Sequence, residues 1–167
     1  MRERGFSLVE LLVSMVIIGI IVTLATHNWT EMQIKAAVET QIKTLYADLM
    51  EVRLQALYSK TPRKVVFSGL QFRVYSSQVV TSAPLTTKTF RYPIVIDLTY
   101  PANTDVPITF DAQGLTSDEC SICVLPTNDT LVVNSAAVDS LIISRARINL
   151  GKRTGGDCKS ANNFIQK

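Results

Sequence analysis

The sequence predicts an α+β protein: a long N-terminal helix, first a membrane anchor and then an amphipathic spine, packed on an antiparallel β-sheet or small β-sandwich. Three observations carry this. Residues 6–25 are dominated by Leu, Val and Ile, interrupted only by Ser7, Glu10, Ser14, Gly19 and Thr23. About 20 such residues span a bilayer as helix. From Ile34 the apolar residues recur at Val38, Ile42, Leu45, Leu49, Val52 and Ala56, alternating steps of four and three, which is the period of one buried helix face. After Pro62 the period becomes strand-like.

At the front, "MRERG" is a short basic head, and the apolar core behind it is not followed by the small-residue cleavage site of an ordinary secretory signal. The apolar segment is therefore expected to be retained, with any processing in front of it. No proline precedes Pro62, so a single helix over 6–59 is allowed, roughly 80 Å long at 1.5 Å per residue. Glu31, Lys35, Glu39, Lys43, Asp48 and Glu51 fall off the apolar stripe of its second half.

Beyond the helix, "KVVFSGLQFRVY" reads as two strands, 64–67 and 70–75, about a Ser68-Gly69 turn. Further strands are expected at 88–92, 94–98, 106–110, 122–125, 131–134, 141–143 and 147–150. Short strands separated by prolines and glycines suit an antiparallel sheet lying on the helix. The stretch from Gly151 onward has linker-like composition. The expected organisation is a basic head at 1–5, a transmembrane helix at 6–26, its amphipathic continuation at 27–60, a β domain at 61–150 and a basic tail at 151–167. A length of 167 residues suits one ordinary domain plus an appendage.

Net charge is only +3, but residues 141–167 hold Arg145, Arg147, Lys152, Arg153, Lys159 and Lys167 against Asp157, a balance of +5 that leaves −2 for the rest. A polyanion would be met at this end, since each Lys or Arg that neutralises a phosphate releases counterions. The opposing reading is a solvated terminus, and Phe164 is the lone aromatic there for base stacking.

Three cysteines, Cys120, Cys123 and Cys158, leave at least one outside any internal disulfide. Cys120-Ser-Ile-Cys123 does not complete a zinc site, because besides Cys158 only the lone His27 remains, and it sits at the end of the membrane helix. For an exported domain the reading is a disulfide from Cys158 to Cys120 or Cys123, with a small Cys120 to Cys123 loop as the alternative. Ser117-Asp118 and Ser140 have no histidine base beyond the first helix, and no phosphate loop or paired-carboxylate signature appears. No enzyme, metal or cofactor is expected. Asn128-Asp-Thr130 and Asn28-Trp-Thr30 fit the glycosylation triplet, a pattern too loose to weigh.

"RGFSLVELLVSMVIIGIIVTLA" resembles the class III signal of type IV pilins and type II secretion pseudopilins: a basic leader ending in glycine, then phenylalanine, then glutamate four residues on. The resemblance implies that prepilin peptidase cuts between Gly5 and Phe6 and methylates the new amino group of Phe6. It implies that Glu10 answers the N-terminal ammonium of a neighbouring subunit in a fibre of bundled helices, which fits the high cost of an unpaired charge in a dry bundle. It further implies other pilins or pseudopilins and the inner-membrane assembly platform as partners. The location implied is the inner membrane in a single pass, with the soluble domain periplasmic, and then a pilus or pseudopilus.

"VPITFDAQGLTSD", then "TLVVNS" and "SLIISRARINLGK", is similar to the FimT/GspH type of minor pilin or pseudopilin, where an Ile-x-Phe-x-x-x-Gly stretch precedes a final strand pair. In the FimT branch a Gly-Arg-x-Arg motif is associated with DNA binding for natural transformation. Here Ser144-Arg145-Ala146-Arg147 stands at that place, so the resemblance implies contact with extracellular double-stranded DNA at Arg145 and Arg147, to which the basic composition of the tail adds Lys152, Arg153 and Lys159. A pseudopilin of type II secretion without DNA binding is the alternative, and a membrane-tethered domain that never polymerises is a third reading that leaves Glu10 unexplained.

Overall fold

The computed structural model describes residues 7–76, 83–96, 105–126, 134–155, 158 and 164–166, the side chains of 24–28, 164 and 166 excepted. The chain divides into two units, Met1–Ile34 and Lys35–Lys167. One helix, α1 (Leu8–Ser59), contributes to both.

In the first unit the helical residues 8–22 expose every large apolar side chain by half or more, from Leu8 at 80% to Val13 at 50%. A helix apolar all round needs an apolar surrounding. Among the described residues no helix is long and apolar enough to cross a membrane. The stretch with described side chains, 8–23, measures roughly 24 Å at 1.5 Å per residue, short of a hydrocarbon core of about 30 Å.

In the second unit the rest of α1 buries Val38, Ile42, Leu45, Leu49, Val52 and Ala56, the stripe that the steps of four and three predict. Ile34, expected at its head, is 36% exposed and belongs to the first unit. Asp48, expected on a solvent face, is buried. It lies at the edge of the stripe, three residues after Leu45 and four before Val52, and is carried in beside them.

Among the described residues nine strands form two antiparallel sheets. Strands β1 (Arg63–Ser68), β2 (Gln71–Tyr75), β3 (Thr86–Thr89) and β5 (Val106–Phe110) pair in the order β3-β2-β1-β5. Strands β4 (Ile94–Ile96), β6 (Cys120–Val124), β7 (Ser140–Ser144), β8 (Arg147–Arg153) and β9 (Phe164–Gln166) pair in the order β4-β6-β7-β8-β9. One core gathers the buried stripe of α1 with Val65, Phe67, Phe72, Ile108 and Phe110 of the first sheet and Ile122, Leu141, Ile143 and Ile148 of the second. This is the helix-on-sheet arrangement expected of the sequence.

Several boundaries differ from expectation. The β1–β2 turn is Gly69-Leu70, since Ser68 pairs with Gln71; Gly69 takes φ +58, as the first position of such a two-residue turn demands. The strand expected at 88–92 lies earlier, at Thr86–Thr89. Phe90 is instead a buried plug whose N–H donates to Leu70 O, and its ring meets Phe72 edge-on at 6.2 Å. Of the strands expected at 94–98 and 131–134, residues 97–98 and 131–133 lie outside the described residues.

The largest correction is at the tail. Residues from Gly151 onward are not a simple linker, because β8 runs on to Arg153 and β9 pairs with it through Gly151↔Gln166, Lys152↔Ile165 and Arg153↔Phe164. Gly151 permits the close approach, since a Cβ there would sit 3.0 Å from Ser140 Oγ on β7.

Candidate functional site

Three regions carry the residues singled out by sequence. At the N-terminus, Gly5 and Phe6 lie outside the described residues. Glu10 is exposed in the first turn of α1. Its N–H donates to Ser7 O at 3.0 Å, and Ser14 Oγ donates to Glu10 O at 2.7 Å. Ser7 and Glu10 have the S-x-x-E spacing of a helix-capping box, and a carboxylate in the first turn complements the helix dipole by about 0.3–1 kcal/mol. Both bonds use backbone atoms of Glu10, so the helix dipole is the local use of its carboxylate beside the one that the signal resemblance implies.

At the basic end the structure separates the five expected DNA-contacting residues. Arg145 and Arg147 are exposed at the β7–β8 turn. The turn is tied to the β5–β6 connection: Arg145 N–H donates to Glu119 Oε1 at 3.0 Å, and Thr116 N–H donates to Arg145 O at 3.0 Å. A polar cavity of about 510 Å³ lies there, lined by Asp111, Thr116, Ser117, Glu119 and Arg145 among others. Its two carboxylates offset part of the positive field.

Lys152 and Arg153 are not presented to solvent. Lys152 Nζ donates to Asp139 Oδ2 at 2.9 Å and to Asn134 O at 2.6 Å. Asp139, 1% exposed, also accepts from Asn134 Nδ2 at 3.0 Å and from Arg153 N–H at 2.8 Å. Three donors satisfy a carboxylate that would be costly to bury alone. Arg153 is itself 1% exposed. Composition registers charge without registering burial, so the +5 balance overstates what a polyanion meets. Lys159 lies outside the described residues.

The third region is the disulfide Cys123–Cys158, with Cα atoms 6.1 Å apart. Alternation along β6 explains the choice between the two candidates. Cys120, Ile122 and Val124 face the main core, whereas Cys123 points through the opposite face and packs with Cys158, Val95 and Ile142. Cys120 is buried and lies outside the bridge. The chain therefore leaves β8, is bonded across to β6, and comes back to pair as β9.

The Ile-x-Phe-x-x-x-Gly stretch, Ile108 to Gly114, also acquires a physical role. Ile108 and Phe110 are fully buried in the core. Asp111 Oδ1 accepts from Gln113 N–H at 2.9 Å and Leu115 N–H at 2.8 Å, closing the turn after β5. Gly114, at φ +71, abuts Leu57 of α1, and its carbonyl accepts from Arg53 Nε at 2.8 Å. This is a clasp between the β5–β6 connection and the helix.

Sequence reasoning missed Asp139, Asp48, Glu39 and Gln41. Gln41 makes reciprocal bonds with Tyr92, Nε2 to O at 2.8 Å and N–H to Oε1 at 2.9 Å. Glu39 Oε1 accepts from Ala137 N–H at 2.7 Å, and this bond first, with Lys43 and Lys35 nearby, lowers its pKa against a smaller opposing effect of burial. A polar residue beside an apolar helical stripe was the available signal for both. Among the described residues no group of three His, Cys, Asp or Glu could hold a metal ion.

A family model described as the prokaryotic N-terminal methylation motif matches residues 1–26. No curated protein and no solved structure matches the chain. The motif coincides with the all-round apolar start of α1, with Glu10 in its first turn, and it supports the similarity of this chain to type IV pilins and pseudopilins.

Proposed function

We propose that the protein is a minor pilin or pseudopilin, a structural subunit of a type IV pilus or of the related secretion pseudopilus. In this reading residues 1–5 are a leader, and prepilin peptidase cuts between Gly5 and Phe6 and methylates Phe6. Residues 6–26 anchor the chain in the inner membrane in a single pass until the assembly platform extracts it, and then bundle with other pilins. Residues 27–60 continue as the amphipathic spine, and the β domain stands in the periplasm. The observation that supports this best is the union of the methylation motif at 1–26 with a helix start that exposes apolar side chains on every side, a surface that lipid or like helices would cover.

Intact-mass analysis of protein recovered from its native membrane tests the reading. A mature chain beginning at N-methylated Phe6 is expected, and a Gly5→Leu variant should keep its leader. A retained Met1 in assembled fibres, or a cut near Ala25, overturns the proposal. Recovery with sheared pili as against a secretion complex separates the two kinds of fibre.

A contact with double-stranded DNA is favoured at Arg145 and Arg147, because both are exposed on one tight turn. Binding would be sequence-tolerant and steeply salt-dependent, and Arg145→Ala with Arg147→Ala would make the salt slope shallower by up to about two units. A folded double variant that binds like the parent removes the DNA role and leaves the structural one.

A further inference from the structure

The side of α1 that faces β2 and β3 borders an open pocket of about 290 Å³, with Leu85, Thr86 and Lys88 exposed at its rim. Its walls are apolar at Val52, Phe72, Val74 and Leu85, and its polar groups are Asp48, Glu51, Gln55, Thr86 and Lys88. Asp48 is 8% exposed. Its Oδ1 takes the Lys88 ammonium at 2.6 Å, but among the described residues its Oδ2, also buried, accepts no hydrogen bond. A buried carboxylate oxygen without a donor is costly, and the residues around it offer little relief, since Gln55 Nε2 already donates to Glu51 Oε1 at 3.1 Å.

We propose that this pocket binds a single organic cation, an alkylammonium or alkylguanidinium group on a short apolar stem. Charge sets the sign: Asp48 and Glu51 face one ammonium, so one positive charge remains to be supplied. Geometry sets the class. The open oxygen wants an N–H donor at the head, and Val52, Phe72, Val74 and Leu85 want methylenes behind it. A divalent metal ion would meet Lys88 and apolar walls where it needs oxygens. The same chemistry is available from a free amine or from a lysine or arginine side chain of a second copy. The inference does not depend on fibre assembly.

The test is methyl NMR of the full chain in detergent micelles, following Val52, Val74 and Leu85 during titration with butylguanidinium chloride, with butanol as the uncharged control. Saturable shifts are expected with a Kd on the order of 1 mM, reasonable for a ligand of roughly eight non-hydrogen atoms, and none with butanol. Asp48→Asn should weaken binding about tenfold or more. Lys88→Met should tighten it about threefold by removing the competing ammonium, a gain that a purely structural carboxylate would not give. Should Asp48→Asn fail to fold, Lys88→Met decides alone. Absence of saturable shifts up to about 50 mM, meaning that water alone fills the pocket, overturns the proposal, as does an unchanged Kd in Lys88→Met. If those methyl shifts also move with protein concentration, and stop doing so in Arg145→Ala with Arg147→Ala, a second copy supplies the cation; shifts independent of concentration assign the site to a free amine.

Discussion

Glu10 carries two demands at once. Its place three residues after Ser7 suits a helix start, and its charge sits at the head of an apolar segment where an unpaired carboxylate is expensive. The demands separate under substitution. Glu10→Gln keeps much of the local capping and removes the charge, so helix content and membrane insertion should persist while incorporation into fibres falls. Quantifying the variant in sheared fibres against total membrane protein checks this, and parental incorporation would show that the cap alone explains the residue. Glu39 makes a different prediction. Its folded pKa is lowered, first by the Ala137 N–H bond, so its stabilising effect is present at neutral pH and lost as pH falls through the folded value, below the ordinary glutamate range. Urea midpoints at pH 7 and about pH 3 should therefore converge in Glu39→Gln relative to the parent.

Among the elements, those with a clear period were legible. "VPITF" alternates, and β5 occupies the residues expected, with Val106, Ile108 and Phe110 inward. The stripe of α1 emerged for the same reason. Elements set by something other than period were misplaced. Phe90 is apolar because it plugs the core between β3 and β4, and composition alone joined it to a strand. Strand β9 rests on a register with β8 and on a cross-link, neither of which leaves a local pattern. Fold class was thus readable, while the separation of Arg145 and Arg147 from Lys152 and Arg153 required knowing that Asp139 is buried between neighbouring strands. The clasp at Gly114 gives the prediction for this scale. A Cβ would lie 2.9 Å from Leu57 Cγ at a φ of +71, so Gly114→Ala should cost about 1–3 kcal/mol. Chemical denaturation measures it, and a loss below about 0.5 kcal/mol would mean that the turn and Leu57 shift freely.

For the molecule as a whole, the cross-link between positions 35 apart joins the last segment of chain to the second sheet. Chain-entropy reasoning assigns a loop of this size about 3–4 kcal/mol. Cys158→Ser should lower unfolding stability by about that amount and raise hydrogen exchange in β8 first, because β9 loses its nearest tether. Uniform exchange across both sheets would instead show that the strands act as one cooperative block.

The placement of β9 also bears on the order of events when the chain is made. Synthesis runs from N- to C-terminus, and Phe164–Gln166, the strand that covers the edge of β8, appears only after β8 itself. Until they arrive β8 ends the sheet with unpaired N–H and C=O groups, the condition under which strands recruit foreign partners. Cys123 must wait as long for Cys158, with Cys120 three residues away on the same strand as an early and incorrect alternative. A chain stopped before Cys158 would keep its helix and most of its core, yet present an open sheet edge and a thiol without its mate. Quality control of such products would therefore read the edge of β8 rather than the core.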